Sequence, residues 1–130
     1  MCIRDRLSRI LLSIKQVLGK SHSPRTFLFD EVDTGVSGQT AERVGAKLKH
    51  LAKGQQVLCV THLPQVACYG DYHFFIEKHP KKSGVEMSLS QLKSKDRIQE
   101  IARLISGEKI TKTSLAHAKQ LLQETAQVTH

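Results

Sequence analysis

Two short, continuously apolar runs flank one amphipathic stretch, and this arrangement constrains the fold more than any other feature of the chain. The first run is "TFLFD", Thr26 to Asp30, and the second is "QVLCVT", Gln56 to Thr61. Both have strand length and lack polar alternation, as strands covered on both faces do. From Ser37 the period changes: Ala41, Val44, Leu48 and Leu51 recur at helical spacing, and Lys53-Gly54 closes the helix. Strand, helix, strand in this order predicts a right-handed βαβ unit with a parallel strand pair, and so an α/β fold. Sheets of this kind bind ligands outside the carboxyl ends of their strands. Those ends carry Asp30 and Glu31 on the first strand and His62 just after the second.

The acids raise a question of charge. Phe27 to Phe29 run straight into Asp30 and Glu31, and Asp33 follows before a glycine-punctuated turn. Adjacent carboxylates repel, and an uncompensated buried charge is costly, so a cation belongs beside them. Two readings fit the residues equally well. In one, the acids and His62 serve metal-assisted phosphoryl transfer. A hard Mg²⁺ takes carboxylate oxygens directly or through water, and it bridges phosphates. The neighbouring carboxylate orients and deprotonates an attacking water, and the histidine senses the terminal phosphate. In the other reading, the acids are an N-cap cluster for the helix that follows.

Elsewhere the pattern is coarser. "LSRILLSIKQVL", Leu7 to Leu18, has helical spacing and Gly19 as a stop, and "KSHSPR" is a loop. "LPQVACYG" reads as one helical turn with Pro64 near its start, where proline is tolerated. "YHFFIEK" and "VEMSLSQL" read as two strands of a hairpin joined by the basic turn "HPKKSG". Ser94 and Asp96 open a helix with Ile98, Ile101, Ala102 and Ile105 on one face, ended by Gly107; a last helix spans roughly Thr113 to Glu124. "MCIRDR" has neither periodicity nor a cap. It back-translates to a transposon end sequence used in sequencing libraries and reads as a gene-assembly artefact. That reading predicts a natural protein extending upstream of Leu7. The expected division is 1–6 artefact, 7–124 folded unit and 125–130 tail.

A chain of 130 residues, 39% hydrophobic and 25% charged, suits one soluble globular domain. Three cysteines without framework spacing indicate reduced thiols, and no apolar run nears the ~20 residues of a membrane span, so an intracellular place and no membrane partner are expected. A net charge of +8 suits an anionic partner, although aromatics at 5% are too sparse for base-stacking platforms. Lys78, Lys81 and Lys82 at the hairpin turn, with Lys93, Lys95 and Arg97 opening the next helix, fit a DNA-contacting surface; they fit a solvated turn and helix end more readily. Cations at a helix start oppose its dipole, which hints at an external anion. A zinc site built from Cys59, His62, Cys68 and His73 is disfavoured, because Cys59 and His62, three apart on an extended strand, point to opposite faces.

The stretches "FLFDEVDTGVSGQTAERVGAKL" and "QVLCVTHLPQVACYGDYHFFIEK" resemble the carboxy-terminal half of the ATPase head of the RecN family, bacterial DNA repair proteins in the SMC-like branch of ABC ATPases. The resemblance covers Leu7 to about Gln123. "DEVDTGVSG" and "VTHLPQVA" together are more specific than a generic Walker B strand. The resemblance implies the carboxy-terminal lobe of a P-loop NTPase head, with Asp30 as the Walker B aspartate holding Mg²⁺ through water and Glu31 as the catalytic base. It implies that Asp33 through Ser37 form the D-loop, with Asp33 and Ser37 at nucleotide across a head–head dimer, and that His62 is the switch histidine. ATP and Mg²⁺ would be the cofactors. DNA, the amino-terminal half of the same head and a second head in a homodimer would be the partners, in double-strand-break repair and recombination in the nucleoid-associated cytoplasm. The chain departs from the family where Ile3 to Arg6 replace Ser-Gly-Gly-Glu ahead of "LSR". It also shows no G-x-x-x-x-G-K-[ST] phosphate loop and no placeable Q-loop. The expectation is half a head, inactive alone. The alternatives are a non-catalytic basic DNA-binding module or a head fragment of another SMC-like ABC ATPase.

Overall fold

The computed structural model describes residues 13–14, 23–30, 35–36 and 38–127. The suspected artefact, most of the expected helix from Leu7 to Leu18, and Glu31, Asp33 and Ser37 lie outside the described residues; Ser13 and Ile14 are helical.

The strand–helix–strand expectation is met. β1 (Thr26–Asp30) and β2 (Gln56–Val60) pair in parallel, with Phe27 opposite Val57 and Phe29 opposite Cys59. Between them α1 (Gln39–Leu51) buries Ala41, Val44, Leu48 and Leu51, the residues its spacing singles out. These pack with Phe29 and Val66, and Phe27, Val57 and Cys59 lie against them. Strand alternation puts Leu28, Leu58 and Val60 on the opposite face. There they are 69%, 47% and 47% exposed. The runs predict cover on both faces, and the described residues cover one. α1 begins at Gly38 with no side-chain cap bond, so the acid cluster does not cap it through Asp30.

α2 (Pro64–Ala67) is a single turn with proline at its start, where no amide hydrogen is needed. Val66 belongs to the core under the parallel pair, and Cys68 just beyond belongs to a second core with Ile101, Ala102, Ala118 and Leu121. Those four come from α3 (Ser94–Ser106) and α4 (Lys112–Gln127). Gly107 ends α3 with φ +77°, a conformation that side chains disfavour. α4 starts on a reciprocal pair, in which the Thr111 amide donates to Ser114 Oγ and the Ser114 amide to Thr111 Oγ1. The helix runs to Gln127, past the expected Glu124, and Thr125 Oγ1 donates to the Cys68 carbonyl at 3.0 Å.

The hairpin is longer than the sequence suggests. β3 (Phe74–Lys81) and β4 (Gly84–Gln91) leave only Lys82 and Ser83 as the turn, so His79, Pro80 and Lys81 are strand residues. Proline is compatible with a two-stranded ribbon, where each strand has a free edge. The register places Ile76 opposite Leu89 and Pro80 opposite Val85 on one face, with Met87 beside them. Apart from Lys78, opposite Met87, this face is apolar and exposed: Ile76 51%, Val85 67%, Met87 60%, Leu89 66%.

Candidate functional site

The parallel register sets the site. Asp30 lies opposite Val60 at the carboxyl end of the pair, and the chain leaving Val60 reaches His62 two residues on. Asp30 and His62 therefore share one edge of the sheet, as the βαβ reading requires. Both side chains are exposed. The expected cost of a buried acid does not arise for Asp30, whose carboxylate keeps its hydration. An exposed carboxylate at a strand end also fits a hydrated Mg²⁺, which takes oxygen ligands and retains several waters. Thr61 Oγ1 accepts the Leu63 amide at 3.0 Å, shaping the turn that carries His62 into α2. Glu31, Asp33 and Ser37 lie outside the described residues.

Behind His62 the one-turn helix is held at its far end. One guanidinium nitrogen of Arg97, Nη2, donates to the carbonyls of Ala67 at 3.3 Å, Cys68 at 3.2 Å and Gly70 at 2.6 Å. The sequence reading placed Arg97 among exposed cations at a solvated helix end, with a weaker hint of an external anion. The structure corrects this: Arg97 is half-buried and points inward at a helix C-terminus, where a cation is favourable. Only its position in the first turn of a helix, against the dipole, marked it beforehand. Burial, opposed by neighbouring charges, draws the Arg97 pKa down from its usual value. His73 stands in the same joint, and its pKa is lowered by burial and then by Arg97. His73 Nδ1 and Arg97 Nε are both buried without a hydrogen-bond partner. Burial pushes the Cys68 thiol up to about 11, so it stays protonated at neutral pH.

The thiols of the zinc reading do not come together. Cys59 packs with the first core and Cys68 lies in the second, which separates the two thiols the zinc reading needs. Among the described residues, no group of three His, Cys, Asp or Glu side chains is placed to hold a metal ion. At the hairpin tip Lys81 pairs with Glu86, so part of the basic charge is neutralised locally. No described helix is long and apolar enough to cross a membrane.

A solved structure from a study of the ATP-driven dimerization and DNA-stimulated activation of SMC ATPases superposes on the chain with a TM-score of 0.59. It is 15% identical and covers 84% of this chain and 65% of that one. Over the part it spans, the chain shares the α/β fold of that SMC ATPase structure. No family model matches the chain. In sequence, the chain is 45% identical over 116 residues to the DNA repair protein RecN of Vibrio cholerae, covering 89% of this chain and 21% of that protein. The RecN proteins of Halalkalibacterium halodurans and Bacillus subtilis are 41% and 40% identical over 116 and 122 residues, covering 89% and 94% of this chain and 20% and 21% of those proteins. The chain is similar in sequence to these RecN proteins, and it spans about a fifth of the length of the curated relatives it matches.

Proposed function

We propose that this chain forms the hydrolytic edge of a RecN-type ATPase head acting in DNA double-strand-break repair and recombination. The observation that carries the reading is the parallel register that brings Asp30 and His62 to one carboxyl edge. Asp30 would hold Mg²⁺ through water, and its exposure leaves room for that shell. Bound there with ATP, the ion would supply charge neutralisation at the phosphates. Glu31, next in sequence to the metal-holding acid, would act as the base for the attacking water. His62 would meet the terminal phosphate, and Asp33 and Ser37, in the D-loop, would reach nucleotide across a dimer of heads.

The amino-terminal half of the same head would bring the phosphate loop that this sequence lacks. Similarity to proteins named for DNA repair, and a fold shared with an SMC ATPase, support DNA and a second head as partners. The same similarity supports a cytoplasmic, nucleoid-associated place. The test uses the full-length protein and measures nucleotide affinity separately from turnover. Glu31→Gln is expected to keep ATP binding, trap a closed dimer and lower turnover by ~10²-fold or more. Asp30→Asn is expected to weaken Mg·ATP binding. His62→Ala is expected to lower turnover with a smaller effect on affinity. Wild-type turnover in Glu31→Gln would remove the catalytic assignment.

A further inference from the structure

From the clamp on the helix behind His62, we infer that Arg97 is a positioning residue for the histidine edge. The inference rests on the role proposed for His62. Four residues of α2 are too few to hold a direction by their own hydrogen bonds, since one helical turn is near the cost of nucleation. Its orientation has to come from the packing of Val66 in the first core and from what grips its ends.

At the near end the grip is Thr61 Oγ1 on the Leu63 amide. The Val66 and Ala67 amides both return to the Leu63 carbonyl, so Leu63 turns as a unit with the helix. At the far end the grip is Arg97, whose Nη2 reaches the last helical carbonyl and two just beyond it. The Ala67 carbonyl also accepts the Gly70 amide and the Cys68 carbonyl also accepts Thr125 Oγ1, but the bonds from Arg97 are charge-assisted and so stronger than these neutral ones. Arg97 sits on α3, which is anchored in the second core through Ile101 and Ala102. The joint therefore carries the orientation of the second core to the turn that presents His62. A tilt of α2 about its Arg97 end would displace His62 at the other end.

The test is a double-mutant cycle in the full-length protein, with kcat and KM for ATP measured for each variant. Arg97→Met is expected to lower kcat about tenfold or more while KM moves less, since misplacing a group near the reacting atoms costs rate steeply. Arg97→Lys, which keeps a cationic donor, is expected to recover part of the loss. In a His62→Ala background, Arg97→Met is expected to add less than about twofold, because the two act through one contact. Leu121→Ala is the control: it thins the same core without touching the clamp, and it is expected to leave kcat near wild type.

Wild-type kcat in Arg97→Met overturns the inference. So does a full-sized Arg97→Met loss on top of His62→Ala, or an equal loss in Leu121→Ala. Wild-type turnover in His62→Ala overturns the role of His62 itself, and the positioning role falls with it.

Discussion

Gly45 gives the sharpest check on how α1 and α2 pack. A Cβ built there would lie 2.8 Å from Tyr69 Cε2, closer still to Tyr69 Cδ2, and 3.1 Å from the Gln65 carbonyl oxygen. The obstructing atoms belong to a half-buried ring rather than to the end of a flexible chain, so the ring or the helix has to move. Overpacking of this kind costs about 1–3 kcal/mol. Against it stands the gain in helix propensity, since alanine is favoured over glycine in a helix interior by about 1 kcal/mol. Gly45→Ala is therefore expected to be destabilising by roughly 0–2 kcal/mol, the difference of those two effects. The same substitution in a Tyr69→Ala background meets only the Gln65 carbonyl oxygen at 3.1 Å and is expected to range from neutral to stabilising by about 1 kcal/mol. Hydrogen exchange of the α1 amides in the full-length protein reads this layer apart from the rest of the molecule. The reasoning fails if Gly45→Ala alone raises protection of α1, or if the effect is the same with and without the Tyr69 ring.

Three further outcomes follow from the same structure. The 130-residue chain alone is expected to show no micromolar ATP binding and no turnover, because its sequence has no phosphate-loop nest for the β-phosphate; tight Mg²⁺-dependent binding in calorimetry would refute the half-head reading. With Leu28, Ile76, Val85, Met87 and Leu89 exposed, the isolated chain is expected to associate and bind an apolar dye, and a monodisperse, sharply melting monomer would count against this. His73 is held below its ordinary pKa by burial, so the unfolded state takes up a proton first. Its contribution to stability should be complete above the unfolded value of about 6.5 and lost as pH falls from there, and His73→Gln should flatten that slope in hydrogen exchange around α3.

Much of the candidate site could be read from the chain because strand and helix periods are local. Ala41, Val44, Leu48 and Leu51 fall on one helical face whatever surrounds them, and two apolar runs joined by that helix leave only a parallel crossover. Asp30 and His62 then meet at one edge as a consequence of topology. The hairpin misled at its turn: "HPKKSG" looks like loop by composition, yet pairing continues through Pro80 because a two-stranded ribbon leaves edges free.

The sequence by itself determined the parallel unit, the carboxyl edge with its acid and histidine, and the similarity to RecN proteins around them. Tertiary structure decided which cations face inward. Arg97 and Lys95 are both basic residues at the start of one helix, and nothing in their local spacing separates them. Arg97 is set apart by carbonyls up to 30 residues away, which it meets only because α3 packs against α2. Tertiary structure also divided Cys59 and Cys68 between two cores and left an apolar hairpin face open. Periodicity reports which face of an element is apolar; what covers that face depends on contacts distant in sequence, and those exist only once the elements have packed.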